Sequence, residues 1–238
     1  MAITLTERGS NSAVFVTSIV VGDSFTPSTN DFIIAVVALD GSRTVSTLAQ
    51  TTGSSWNCTF EQIDITATNN NAQFEYWGGF VKGASPSADT ITATHGSSRP
   101  STLLLQLSGT DVSGTVSNAI IQKVKATGYD QRTSLALGTL TALTSANILL
   151  TLGQNYRDGN SFSPQTNFTE IQDLDLGQFQ LGSFSSTTSE TAPTLNYERS
   201  TFTYTGGICA EIKAAGGGGT ILFSRSRTGF RAGSRQST

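Results

Sequence analysis

Charged residues are scarce in this chain. They make up 13% of its 238 residues, about half of the roughly 25% usual in globular domains, so Ser, Thr, Asn and Gln must carry the polar surface. Such a surface suits a protein that works outside the cytoplasm or in a fixed assembly. Cysteine is scarce as well. The two residues, Cys58 and Cys209, cannot define a disulfide scaffold, and without a paired C-x-x-C spacing they give no zinc site. Both fall in expected strands and read as buried thiols acting as small hydrophobes, with a single bridge as the alternative. No apolar run approaches the length of about 18 residues that a membrane-spanning helix requires. The first residues, Met1-Ala-Ile-Thr-Leu-Thr-Glu-Arg-Gly9, lack a basic region followed by an apolar run and a cleavage site, so no ordinary secretory signal is expected.

What is present points to strands. An apolar share of 37% with 24 glycines suffices for a sizeable core. Strict alternation or short apolar runs, bounded by Gly, Pro, Asn and Ser, recur about every ten residues, which is the all-β pattern. Asp31–Leu39 reads as a strand buried on both faces, Gln73–Val81 and Asp89–Thr94 alternate, and Leu103–Leu107 is apolar again. Further strands are expected over Ala13–Val21, Asn57–Ala67, Val116–Lys125, Ser134–Leu140, Asn147–Gly153, Gly177–Phe184, Thr194–Thr205 and Gly207–Lys213. No window forms a convincing amphipathic helix, and a turn around Thr141–Ala146 is the best helical patch. Ser28–Val37 and Leu143–Leu152 echo each other: small polar turn residues precede a doubly buried strand, as central strands of two facing sheets require. The expected fold is an antiparallel β-sandwich of jelly-roll type, with one sandwich domain over residues 1–213 and a Gly-rich linker and basic C-terminal arm over 214–238.

Catalytic constellations are hard to assemble from these residues. His95, the one histidine, follows an expected strand, and no G-x-S-x-G elbow presents a nucleophile. Asp173 and Asp175 share a face if extended and are the candidates for the carboxylate pair of a glycoside hydrolase. Glu61, Asp64, Glu75 and Glu190 are scattered. Asp158-Gly-Asn160 and Asp173-x-Asp175 supply oxygen ligands but no complete calcium loop. No catalytic residue, metal site or cofactor is therefore expected. Among the aromatics, Trp77 lies in the alternation of a central strand with Phe74 and Tyr76 and reads as core, while Tyr129, in Ala126–Arg132, and Tyr156, in Gln154–Gly159, sit in polar loops and are the candidate glycan contacts.

The arm is chemically distinct from the body. It contains Arg225, Arg227, Arg231 and Arg235 and no acid. Ten basic against seventeen acidic residues remain before it, so the body carries −7 and the arm +4. Phe223, Arg225, Arg227, Phe230, Arg231 and Arg235 are the expected partner-binding residues, because a basic arm is drawn to a negative surface of a neighbouring subunit. Nucleic acid is not expected as a partner, since no aromatic stacking platform accompanies the arginines and the chain is acidic as a whole.

In Asn30–Leu39, the turn toward Trp56, Glu75-Tyr-Trp77, Lys82–Thr94, Leu105-Gln-Leu-Ser-Gly109, Asn147–Leu150 and Ser200–Ile212, the chain resembles a family of concanavalin-like jelly-roll domains. Members occur in bacteriophage structural proteins and some secreted bacterial proteins. The resemblance covers about Ala13 to Lys213 and leaves out the arm. It implies a non-enzymatic virion protein on the particle surface, a capsid decoration or cement protein that binds the major capsid protein or another virion protein and forms a homo-oligomer. No membrane partner is expected. A tail or fibre domain that binds a receptor or carbohydrate is the alternative reading, and a glycoside hydrolase the third. Surface composition and the expected lack of an export signal fit release by lysis; a signal removed beforehand fits them too.

Overall fold

Alternation decides which side chains share a core. The computed structural model describes residues 2–68, 72–144, 146–156, 161–176, 179–216 and 222–223, with the backbone alone at 67–68, 129–132, 199–203 and 222–223. Eight strands come first: β1 (Thr4–Ser12), β2 (Val16–Phe25), β3 (Phe32–Asp40), β4 (Val45–Gln50), β5 (Phe60–Thr68), β6 (Ala72–Phe80), β7 (Asp89–Ser98) and β8 (Ser101–Ser108). A single helical turn, α1 (Val116–Ala119), leads into β9 (Ile120–Ala136), β10 (Ile148–Tyr156), β11 (Phe162–Ser163), β12 (Thr169–Asp175), β13 (Phe179–Ser186), β14 (Thr194–Ile212) and β15 (Leu222–Phe223). These strands form three sheets, ordered β15-β1-β8-β3-β6-β5, β11-β14-β10-β13-β12 with β9 also on β14, and β2-β7-β4. Every pairing but the parallel β1–β15 contact is antiparallel.

β3 is buried along nearly its whole length because it serves two cores. Phe32, Ile34, Val36 and Ala38 point between the two large sheets, where they meet Phe74, Leu105, Leu150 and Ile208. Ile33, Ala35, Val37 and Leu39 point the other way, toward Ile19, Leu48, Trp56 and Ile91 under the three-stranded sheet. Each fully buried Val, Leu, Ile or Phe contributes about 1.5–3 kcal/mol, so this one strand fastens two layers. A third core covers the far face of the second sheet, where Leu149, Phe184 and Cys209 meet Leu135, Phe162, Leu195 and Tyr197.

The two halves of the chain have one connectivity. In the first, β1 pairs with β8, β2 with β7 and β3 with β6, the nested order of a jelly roll, although β5 joins β6 in the large sheet. In the second, the long β9 replaces β1 and β2, and the long β14 replaces β7 and β8. The order β1-β8-β3-β6-β5 is matched by β9-β14-β10-β13-β12, and β2-β7-β4 by the far ends of β9 and β14 with β11. The turns that launch the two central strands also match: Asp31 N donates to Ser28 O at 3.1 Å with Asn30 at φ 72°, and Asn147 N donates to Thr144 O at 3.1 Å with Ala146 at φ 81°. Behind each turn an amide meets a carboxylate with the roles exchanged. Gln106, opposite Ile33, donates to Asp31, whereas Asn147 donates to Glu211, opposite Leu149, at 2.6 Å. The sequence echo is thus a structural repeat, shifted by one residue so that Asp31 corresponds to Asn147.

Local expectations need three corrections. Val116–Ala119 is a helical turn rather than a strand start, because its i, i+3 pair Val116 and Ala119 drops into the central core. Residues 126–132 continue β9 instead of forming a loop, and Thr194–Thr205 and Gly207–Lys213 merge into one strand that ends at Ile212. The outer edge of β5 is closed from β9: Lys123 Nζ donates to Ile63 O, and Lys125 Nζ to Ile65 O at 2.8 Å. Asp64 between them takes both lysines, at 2.7 and 2.5 Å. Burial works against the Asp64 charge, but the two lysines outweigh it and hold its carboxyl below the usual range. Charged side chains placed in this way keep an edge from pairing with another chain.

Candidate functional site

Acids of the chain, both those weighed for catalysis and others, mostly fasten turns to sheets. Glu75 is fully buried, and its Oε1 accepts from Val45 N at 2.8 Å and Gln73 Nε2 at 3.1 Å. Its Oε2 accepts from Gln62 Nε2 at 2.8 Å and Trp77 Nε1 at 3.0 Å. Glu211 accepts from Thr144 N, Asn147 Nδ2 and Gln122 Nε2. Asp89 is claimed by Gln50, Thr52, Gly53 and Thr90; burial opposes its charge, yet these donors hold its carboxyl below the usual range. Asp173 and Asp175 do share a face, opposite Gly182 and Gln180. Asp173 accepts from Phe162 N at 3.1 Å and Gln180 Nε2 at 2.6 Å, which ties β11 to β12. Burial, then the charges of Glu170 and Glu198, push its carboxyl up. Glu190 accepts from Ala192 N two residues on. His95 lies inside β7 rather than after a strand, buried, with Nδ1 at 2.7 Å from Gly96 O.

The aromatic and thiol expectations divide. Tyr156 is not a loop residue: it ends β10, is 4% exposed, and packs its ring 5.0 Å from Phe179, so it has no surface to offer a glycan. Tyr129 belongs to β9, opposite Tyr204, and its side chain lies outside the described residues. Trp56 is core, with Nε1 donating to Ser87 O. Phe74 and Tyr76 share the central core, while Trp77 packs on the opposite face of β6. Both thiols are free; Cys209 is buried in β14, whereas Cys58 is half-buried in the loop before β5. Burial pushes each up to about 12. Among the described residues no group of three metal-ligating side chains occurs, and no helix is long and apolar enough to cross a membrane. A shallow cleft beside Glu61, Phe80 and Lys82 holds about 60 Å³, far below the roughly 300 Å³ at which small-molecule sites begin.

Of the expected partner-binding residues, Phe223 is placed by its backbone, paired with Leu5 of the edge strand β1. Arg225, Arg227, Phe230, Arg231 and Arg235, like Asp158 and Asn160, lie outside the described residues.

The most conspicuous surface feature was missed in the sequence. Three turns of the first half, 12–16, 40–44 and 96–100, meet at one end: Ala13 N donates to Pro100 O at 3.1 Å, Ser98 Oγ to Asp40 Oδ1 at 2.6 Å, and Arg43 Nε to Ser97 O at 3.2 Å. At their apex Val14 is 67% and Phe15 64% exposed. Phe15 has φ 53°, a left-handed conformation that costs a residue with a Cβ about 1–2 kcal/mol. Arg99 places its guanidinium 4.4 Å from the Phe15 ring centroid, and its buried Nε has no hydrogen-bond partner among the described residues. Asp40, the acid of these turns, is already engaged by Ser98 Oγ and by Arg99 N at 3.0 Å. The apex therefore presents an apolar pair with the Arg99 guanidinium against its ring, and Arg43 on the neighbouring turn. The adjacent apolar residues Val14-Phe15, shortly after Asn11-Ser12, were its sequence signal, absorbed there into an expected strand. No protein-family model, curated protein or solved structure matches the chain.

Proposed function

We propose that this protein is a non-enzymatic structural component of a virus particle, a decoration or cement protein that binds and stabilises a capsid. The observation that carries the reading is how the polar interior is used. Glu75, Glu211, Asp31 and Asp89 each accept several hydrogen bonds from turns and neighbouring strands, so the buried carboxylates serve as rivets in a stack of antiparallel sheets. A body built in this way favours permanence over motion. Its charge-poor surface and the +4 arm suit contact with other chains of a fixed assembly. The burial of Tyr156 takes away one of the two residues that favoured a carbohydrate-binding role.

The test is particle stability. Particles that lack the protein should lose resistance to heat and low salt and regain it when the purified chain is added. A chain lacking residues 216–238 should stay folded, since β1 keeps its pairing with β8, yet fail to attach. Full occupancy by the truncated chain would remove the arm from the proposal, and unchanged stability of particles without the protein would remove the proposal itself.

A further inference from the structure

We infer that the Val14-Phe15 apex, with Arg43 and Arg99, is a docking surface for a second copy of this chain, and that its counterpart is the acidic open edge formed by β12. The inference rests on the structural role proposed above and names the contact through which that role is exercised.

Three observations at the apex are independent. A large aromatic ring is exposed next to an exposed valine; the backbone beneath the ring sits at φ 53°; and the Arg99 side chain stacks on the ring with a buried Nε that has no partner among the described residues. Exposure and strain both disfavour the free protein, and among the described residues Phe15 belongs to none of the three cores. Backbone held in a sparsely populated region at a surface turn is a mark of use, and aromatic and arginine side chains are the residues that dominate protein contacts.

The counterpart follows from charge and from hydrogen bonding. β12 ends its sheet and pairs with β13 alone, so its outer backbone groups face away from any described strand. Glu170, Asp173 and Asp175 stand on one face of it, opposite Phe184, Gly182 and Gln180, and the charges of Glu170 and Glu198 bear on Asp173. In the matching place of the other half, the β5 edge is closed by Lys123 and Lys125; no such lysines close β12 among the described residues. An edge strand with three acids on one face and an apex with Arg99 stacked on its ring complement each other in sign. Both belong to the same chain at different places, so the contact is head-to-tail, and repetition builds a ring or a continuous layer.

The experiment is sedimentation of the full chain over a wide concentration range, with Phe15→Gly, Arg99→Glu and Glu170→Arg/Asp175→Arg variants. Wild type should self-associate, and each variant alone should do so about tenfold more weakly or not at all. Mixing Arg99→Glu with Glu170→Arg/Asp175→Arg should restore association, because each mixture holds one intact apex and one intact edge as well as a reversed pair. Phe15→Gly separates contact from folding: glycine accepts φ 53° without strain, so its melting temperature should hold or rise while association is lost. Association of the variants equal to wild type would overturn the inference and leave the structural role standing. A chain that stays monomeric yet needs Phe15 for attachment to particles would assign the apex to another protein and overturn the second-copy assignment. A monomeric chain that attaches to no particle would overturn both.

Discussion

Replacing Glu75 tests whether buried carboxylates hold the layers together. Its two oxygens are inequivalent: Oε1 serves two donors that stay buried, Val45 N and Gln73 Nε2, while Oε2 serves Gln62 and Trp77, which are only partly buried. In Glu75→Ala, Gln62 and Trp77 can turn toward water, but Val45 N and Gln73 Nε2 are stranded. Each stranded donor costs about 1–3 kcal/mol and bonds to a charged group are the stronger kind, so the loss is about 3–5 kcal/mol. In Glu75→Gln the amide oxygen can keep the buried pair, Gln62 can flip its own amide to accept from the new NH₂, and only the partly buried Trp77 Nε1 loses its acceptor, which limits the loss to about 1–2 kcal/mol. Urea unfolding gives both numbers, and hydrogen exchange at the Val45 amide gives the location: protection should vanish in the alanine variant and persist in the glutamine variant. A loss below about 1 kcal/mol in Glu75→Ala, or equal losses in the two variants, would refute the reasoning.

Asp64→Asn removes the carboxylate charge that pairs with Lys123 and Lys125; because the lysines are largely exposed, it should cost under about 1 kcal/mol at pH 7. The Asp64 carboxyl is held below its usual range in the fold, so this contribution is complete above the unfolded value of about 3.9 and is lost as pH falls through the folded one. Wild type and variant should therefore converge in urea titrations at low pH. Cys58 and Cys209, both pushed up to about 12, should resist a thiol reagent at pH 8 in the native chain and both react in urea; fewer than two thiols after denaturation would show a bridge instead. Gly22→Ala places a Cβ 2.6 Å from Arg8 O and from Leu104 Cβ at φ +72°, so it should destabilise by more than about 2 kcal/mol, read as a lower urea midpoint.

How much was legible follows from how far each signal reaches along the chain. β3 could be read because an unbroken apolar run is the imprint of burial on both faces, and the Ser28–Val37 echo with Leu143–Leu152 pointed to its counterpart β10. The layering could not be read, because whether Thr194–Ile212 is one bent strand or two depends on the sheets it joins. Tyr156 looked exposed since Gln154 and Asn155 precede it, yet both are fully buried; the fold surrounds them, and local polarity cannot show that. Glu75 looked like one of several scattered acids because its donors come from positions 45, 62, 73 and 77. Phe15 was read as strand, since alternation does not reveal a turn in which an aromatic residue adopts positive φ.

Electron microscopy of purified particles, with the protein labelled at a surface position away from the apex and the β12 edge, tests the central claim most directly. The account predicts regular copies on the particle, each touching a neighbouring copy. Particles without the protein, with the chain recovered only free in solution, would contradict it.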